Sequence, residues 1–129
     1  MDLHTTIARR RTTHAFSDEV VSPEIVERAL HAANHAPCHK LTFPWRFTLA
    51  GRGTRARLAE LGVHIKSASR PLTDVDAAKL MRKILNPSHL VVASQVRCPD
   101  PAQAREDYAA CACAIQNLLL SLTADEVAS

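Results

Sequence analysis

The sequence predicts an α+β fold in which helices surround a small central sheet and one long helix is buried in the middle. Two observations lead to this prediction. Segments with apolar residues at helical spacing alternate with two short segments typical of strands. Residues 108–122 are almost all apolar or small, and a helix that is apolar on every side is expected to be enclosed by protein.

Length and composition favour a single folded domain over residues 1–129. The chain is 47% hydrophobic and 22% charged, as is typical of globular proteins. Its net charge of +3 suits small anionic ligands better than a nucleic-acid groove. The apolar segment is shorter than the roughly 20 residues that a membrane span needs. We therefore expect neither a nucleic-acid nor a membrane partner.

Two helices are predicted in the first third of the chain. The first covers residues 3–10. Ser22 and Pro23 supply an N-cap and a first-turn proline for the second, whose apolar residues recur at 3.6-residue spacing. It is expected to end near Ala36 and Pro37, because proline disfavours helical geometry in the residue before it.

Two strands are predicted in the middle of the chain. Apolar and polar residues alternate over residues 45–50, which is typical of a strand buried on one side. Residues 90–93 are continuously apolar, which favours a strand covered on both faces. Between the strands, we expect one helix from a cap near Thr54 to Leu61. A capping box of Thr73 and Asp76 predicts another that reaches about Leu85.

The four cysteines indicate a reducing compartment. They include no C-x-x-C pair, and the first residues lack the layout of a secretory signal. Reduced thiols in the cytoplasm are therefore expected. Cys111 and Cys113 are two residues apart in a predicted helix and point to different faces, so buried packing is expected for them rather than shared metal binding.

A cluster of phosphate-binding groups follows the first predicted helix. Arg9, Arg10 and Arg11 precede two hydroxyl side chains, Thr12 and Thr13. Guanidinium groups bind phosphate oxygens through paired hydrogen bonds, and neighbouring hydroxyls add short ones. Because no glycine-rich loop adjoins the cluster, an ordinary solvated surface is the alternative interpretation.

Two other charged groups are open to simpler interpretations. Arg52, Arg55 and Arg57 form a second basic cluster, which is typical either of a solvated face or of an anion site. Glu106 and Asp107 precede the long apolar segment. Acidic residues are favoured at helix amino termini, so this pair is interpreted as a helix start.

The loop expected after the second helix carries hydrogen-bond donors. Pro37 restricts the loop, and His39 and Lys40 place donors where the polar edge of a ring could be recognised. The chain has no G-x-G-x-x-G motif and no P-loop. A nucleotide-like ligand would therefore be held by side chains.

The same loop suggests a metal site as an alternative. His31, His35 and His39 are spaced by four residues, and Cys38 lies among them. Pro37 interrupts the helix that would align the third histidine with the first two. No acidic ligand lies nearby in the sequence, so metal binding is the weaker alternative.

Taken in order, these segments resemble the nitroreductase family, and within it the compact branch with a His-Lys pair after an Ala-Pro turn. The long apolar helix is also similar to the family's central helix. The residues that carry the resemblance are Arg10, Arg11, Thr12, Phe16, Pro23, Ala36, Pro37, His39, Lys40, Pro44, Trp45, Arg46, Phe47, Asp107, Tyr108, Ala109, Ala110, Gln116 and Asn117.

The resemblance implies a homodimer with FMN at the subunit interface. It implies that NADH or NADPH reduces the flavin and that a nitroaromatic, a quinone or a similar small molecule reoxidises it. By position, Arg10, Arg11 and Thr12 would hold the phosphate and neighbouring flavin oxygens. His35 and His39 would contact FMN from the loop of the second subunit. Because the flavin itself carries the hydride, no catalytic side chain and no metal are implied.

The long apolar helix predicts dimerisation independently of the resemblance. A helix that is apolar around its circumference presents a stripe that one small sheet cannot cover. Leu118, Leu119 and Leu122 are the large side chains expected in a two-fold interface.

The chain departs from the family's pattern in several places. Leu41, Thr42 and Phe43 stand where most members have Asn-x-Gln, Cys38 stands where Ser or Asp is commoner, and His14 stands where Lys or Arg is frequent. The family's chains normally continue beyond the central helix, so a fragment or a degenerate copy is expected. The second hypothesis is therefore a catalytically inactive, flavin-poor dimerisation remnant.

Overall fold

A computed structural model describes residues 1–129 and confirms the α+β class. The order of elements is α1 (Leu3–Arg9), α2 (Pro23–Asn34), a 3-10 helix (His39–Leu41), β1 (Trp45–Leu49), α3 (Arg52–Ser69), α4 (Asp74–Leu85), β2 (Val91–Gln95) and α5 (Pro101–Ala124). None of these helices is both long enough and apolar enough to cross a membrane.

The chain divides into two compact units. The first unit contains Met1–Thr13, Val21–Thr48 and Val92–Ser129, and the second contains His14–Val20 and Leu49–Val91. All five predicted site residues fall in the first unit. The expectation of one domain stays a prediction.

The two strands pair in opposite directions. The backbone N–H of Ala50 donates to the carbonyl of Leu90 at 2.9 Å, and that of Val96 donates to the carbonyl of Pro44 at 2.8 Å, which is an antiparallel register. The side chains of β2 are half-buried or exposed, and Val92 is 40% exposed. The expectation of a strand covered on both faces is therefore wrong, because the two-stranded sheet leaves much of β2 open.

The first unit is built on the packing of α2 against α5. An ion pair of 2.9 Å joins Arg28 to Asp125, and the Asn117 amide donates to the carbonyl of Ala32 at 3.3 Å. Small side chains line the contact and allow the helices to approach closely. The apolar residues buried on the two helices are Val26, Ala29, Ala33, Ala110, Cys111, Ala114 and Leu118.

Helix α5 begins earlier than expected. Asp100 caps it by accepting a hydrogen bond from the backbone N–H of Ala102 at 3.0 Å, and Pro101 is its first residue. Glu106 and Asp107 thus lie inside the helix, and their interpretation as a helix start is wrong. Burial of this helix on every side was expected, but only one face is buried, since Tyr108 on another face is 71% exposed.

The second unit is a pair of packed helices, α3 and α4. Helix α3 starts after Gly51 and continues to Ser69, well past the expected end at Leu61. The predicted capping box of α4 is confirmed, because the Thr73 hydroxyl accepts from the backbone N–H of Asp76 at 3.2 Å. The predicted end of α4 at Leu85 is also confirmed.

The second basic cluster has a structural member in Arg55. This half-buried guanidinium donates to the carbonyls of Ile84 at 2.8 Å, Leu85 at 2.7 Å and Ser88 at 3.2 Å, and also to that of Pro87. The last carbonyls of a helix have no partner within the helix. Arg55 therefore holds the carboxyl end of α4 against α3.

Replacing Arg55 with alanine should destabilise the second unit. The substitution leaves several carbonyls without their charged donor, and we expect a loss of about 1.5 to 3 kcal/mol in the free energy of unfolding. Urea unfolding followed by circular dichroism measures it. The matched control is Arg57→Ala on the exposed surface of the same helix, which should stay within about 0.5 kcal/mol of the native chain. Equal stability of the two variants would contradict the assignment.

Candidate functional site

The arginine segment, Arg10 to Thr12, directly follows α1, as predicted. The backbone N–H of Arg10 donates to the carbonyl of Thr6 at 3.1 Å and ends the helix. The Arg11 guanidinium turns back toward the helix and donates to the carbonyls of Ala8 and Arg10, both at 2.7 Å. Arg11 and Thr12 are exposed, and Arg10 is half-buried. Binding of phosphate by this segment stays a prediction.

The arginine segment lies near the carboxyl end of α5. The guanidinium of Arg9 is 3.8 Å from the carboxylate of Glu126, and the backbone N–H of Thr13 donates to the carbonyl of Ser129 at 3.0 Å. These two contacts flank the arginine segment on both sides. Its position in the first unit is therefore fixed at that end of the helix.

His35 and His39 stand at the two ends of the loop that follows α2. His35 is the C-cap of α2, and its ring meets the edge of His31 at 4.8 Å between centroids. His39 opens the 3-10 helix, and both site histidines are exposed. Their contact with a flavin stays a prediction.

The base of this loop is fixed by a buried tryptophan. Trp45 is 6% exposed, and its indole N–H donates to the side-chain oxygen of Asn34 at 2.9 Å. Phe43 meets the edge of the same indole at 5.8 Å between centroids. The end of α2 and the start of β1 are thereby tied together beneath the loop.

Asp107 is a buried acidic residue whose role the sequence reasoning missed. Only 4% of it is exposed, and one of its oxygens accepts from the hydroxyl of Thr42 at 2.7 Å and from the amide of Gln103 at 2.9 Å. Recognition of the helix start at Pro101 would have revealed it. In a helix that begins at Pro101, Asp107 lies three residues before Ala110 and seven residues before Ala114. It therefore shares the helix face of these two buried residues.

The five predicted site residues form two groups along α5. The loop meets the amino-terminal part of this helix through Asp107, whereas the arginine segment lies near its carboxyl end. Roughly 26 Å of helix separate Asp107 from Ala124 at 1.5 Å per residue. A single chain therefore does not bring the arginine segment and the loop histidines together around one ligand.

The four residues of the alternative metal site are not brought together. His31 and His35 are adjacent, but nowhere do three or more histidine, cysteine or acidic side chains form a group that could hold a metal ion. The metal alternative gains no support from this arrangement.

The two cysteines of α5 differ in environment. Cys111 is buried and Cys113 is exposed, so the expectation of buried packing is confirmed for the first and wrong for the second. Burial raises the pKa of the Cys111 thiol, and the nearby Asp107 and Cys38 raise it further.

Comparison with known proteins gives one consistent result. Residues 7–129 match the model of the Nitroreductase family. The chain is 30% identical over 117 residues to the "Putative NAD(P)H nitroreductase YfhC" of Bacillus subtilis (strain 168), covering 88% of this chain and 60% of that protein. It therefore spans about three fifths of the length of this curated relative.

Two solved structures are similar to the chain over nearly its whole length. A nitroreductase-like family protein from Bacillus cereus has a TM-score of 0.81 at 25% identity, covering 97% of this chain and 66% of that one. A nitroreductase with bound FMN from Bacteroides fragilis NCTC 9343 has a TM-score of 0.69 at 25% identity, covering 99% and 67%.

The raised pKa of Cys111 predicts low thiol reactivity. The thiolate is the reactive form, and a raised pKa lowers its fraction at any pH below that pKa. With limiting iodoacetamide at mildly alkaline pH, Cys113 should be alkylated well before Cys111, as measured by peptide mass spectrometry. In urea, the two rates should converge. Equal rates in the folded chain would contradict the burial of Cys111.

Proposed function

The chain belongs to the nitroreductase family, and on that premise we propose that it is an FMN-dependent oxidoreductase. It passes hydride from NADH or NADPH through the flavin to a nitroaromatic, a quinone or a similar small acceptor. Two findings support the proposal: the similar Bacteroides fragilis nitroreductase has bound FMN, and the Bacillus subtilis relative is named for NAD(P)H. The four free cysteines suit the reducing cytoplasm in which we place it.

The side chains of the two groups fit the chemistry of FMN. Arg10, Arg11 and Thr12 offer charged and hydroxyl donors that suit a phosphate. His39 offers ring donors that suit the polar edge of a flavin. Bound FMN supplies hydride transfer, and the protein supplies orientation and positive charge that favours the anionic reduced ring.

The placement of the two groups at opposite ends of α5 is the observation that carries the proposal. A two-fold dimer presents the same surface of both copies to one another. If the two α5 helices pack in opposite directions, the arginine segment of one chain comes next to the loop of the other. Each of two equivalent flavin sites is then completed by both chains.

Helix α5 has an exposed face on which a second copy can pack. Tyr108 and Ile115 lie on this face and are 71% and 37% exposed, and Ala112 and Leu119 follow the same helical spacing. Full burial of an exposed large aliphatic side chain contributes about 1.5 to 3 kcal/mol, and Ile115 and Leu119 would each add a part of that, since both are already partly buried in their own chain. Leu118, by contrast, is only 7% exposed within its own chain and is not available to a partner.

Subunit complementation tests this arrangement. Arg11→Ala and His39→Ala homodimers should each bind FMN about tenfold or more weakly, the equivalent of one hydrogen bond to a charged group. A heterodimer of the two variants, purified through two different tags, carries one native and one doubly altered site. About half of its sites should therefore titrate with native affinity in FMN fluorescence quenching.

The outcomes of the complementation experiment separate the hypotheses. Uniformly weak sites in the heterodimer would show that each site lies within one chain. A native chain that is purified without colour and does not take up added FMN would favour the inactive remnant. Because Arg11 also donates to the carbonyls at the end of α1, the thermal unfolding of its variant must match the native chain. Arg57→Ala is the control for loss of a surface charge.

Leu119→Glu should dissociate the dimer. It places a charge in the proposed interface and removes apolar contact area. Sedimentation velocity should show a shift from dimer to monomer or to aggregated chain. Leu61→Glu is the matched control, because Leu61 is an exposed leucine on α3, and it should leave the dimer intact. A well-folded native monomer at micromolar concentration would overturn the interface.

A further inference from the structure

We propose that Asp107 is a positioning residue, which sets the conformation of the loop carrying His39 and Lys40 through its hydrogen bond to Thr42. This inference rests on the proposed function in so far as the loop contacts the flavin. The conformation of the loop can be measured without the flavin, so the two can be tested separately.

The buried carboxylate of Asp107 determines the direction of the hydrogen bonds around it. An ionised carboxylate only accepts hydrogen bonds, and its burial is costly unless donors are supplied. No arginine or lysine forms an ion pair with Asp107. Its donors are the hydroxyl of Thr42 at 2.7 Å and the side-chain amide of Gln103 at 2.9 Å. The single hydroxyl hydrogen of Thr42 is therefore directed to Asp107.

The hydrogen bond from Thr42 orients the rest of the loop. With its hydrogen given to Asp107, the Thr42 oxygen is an acceptor for the Cys38 thiol at 3.4 Å, which is closer than the carbonyl of His39 at 3.8 Å. The sulfur of Cys38 in turn accepts from the backbone N–H of Phe43 at 3.1 Å. Cys38, Thr42 and Phe43 thus form a closed network around His39 and Lys40, anchored on Asp107.

The loop needs such an anchor because its backbone is strained. Lys40, Leu41 and Phe43 have φ angles of 60°, 54° and 44°, in the left-handed region that residues other than glycine rarely adopt. Strained conformations persist only where the surroundings hold them in place. The other side-chain tether of the loop to α5, the Lys40 to Glu106 pair at 4.0 Å, is exposed and contributes little.

The Thr42→Val variant is the most direct test. Valine keeps the shape of threonine without the hydroxyl, and Thr42 is exposed, so the chain should still fold. We expect the Kd for FMN to rise about tenfold. The Cys38 thiol should be alkylated faster than in the native chain, relative to Cys113 of the same molecule. The loss of one donor to the buried carboxylate should also lower the melting temperature by about a few degrees. Thr42→Ser keeps the hydroxyl and should have the native Kd for FMN and the native rate of Cys38 alkylation.

A second pair of variants separates positioning from general stability. Asp107→Asn leaves the Thr42 hydroxyl in place but adds buried N–H donors, and it should accelerate Cys38 alkylation as Thr42→Val does. Asp125→Asn removes a carboxylate just beyond the other end of α5, where it pairs with Arg28. This control should leave Cys38 alkylation unchanged even if it lowers the melting temperature.

Three outcomes decide between the possibilities. If the native chain binds FMN and Thr42→Val changes neither the Kd nor Cys38 alkylation, the positioning role is overturned and the proposed function stands. If the native chain binds no FMN while Cys38 is alkylated faster in both Thr42→Val and Asp107→Asn, loop positioning is supported and the proposed function fails. If Cys38 and the buried Cys111 accelerate together, Asp107 serves general stability and the positioning role is overturned.

Discussion

The close packing of α2 on α5 organises the first unit. Ala29, Ala33 and Ala114 are almost fully buried in this contact, and side chains this small let two helices approach within the usual packing distance. The contact covers one face of α5 and leaves another to the solvent. Because α5 is the longest helix, segments held at its two ends are kept far apart. This separation is what makes a second copy of the chain necessary in the proposed flavin site.

Charged side chains in this chain have structural roles as well as the proposed binding roles. Arg55 holds the carboxyl end of α4 through backbone carbonyls, and Arg28 pairs with Asp125 beyond the end of α5. In the proposed scheme, Arg11 has both a structural and a binding role. It donates to the carbonyls at the end of α1 and lies where the phosphate is expected. A basic cluster in a sequence therefore does not reveal which of its members are available to a ligand.

The loop after α2 shows how a buried acid can organise exposed donors. The histidine and lysine that are proposed to meet the flavin are exposed themselves, so few contacts restrain them directly. Restraint reaches them through Thr42 and Cys38 from Asp107, whose position is fixed by α5. In this way a rigid helix can position a loop that has few contacts of its own.

Local signals in the sequence determined most of the helix ends and the order of the elements. The Thr73 cap and the first-turn Pro23 act on neighbours within one helical turn, so they are readable from the chain. Asp100 and Pro101 are an equally local signal, although the apolar segment after residue 108 obscured it. The pairing of Asp107 with Thr42 and the partners of Arg55 were decided only by the tertiary structure. Thr42 lies 65 residues from Asp107, and contacts at such distances depend on how the helices pack, which no local pattern encodes.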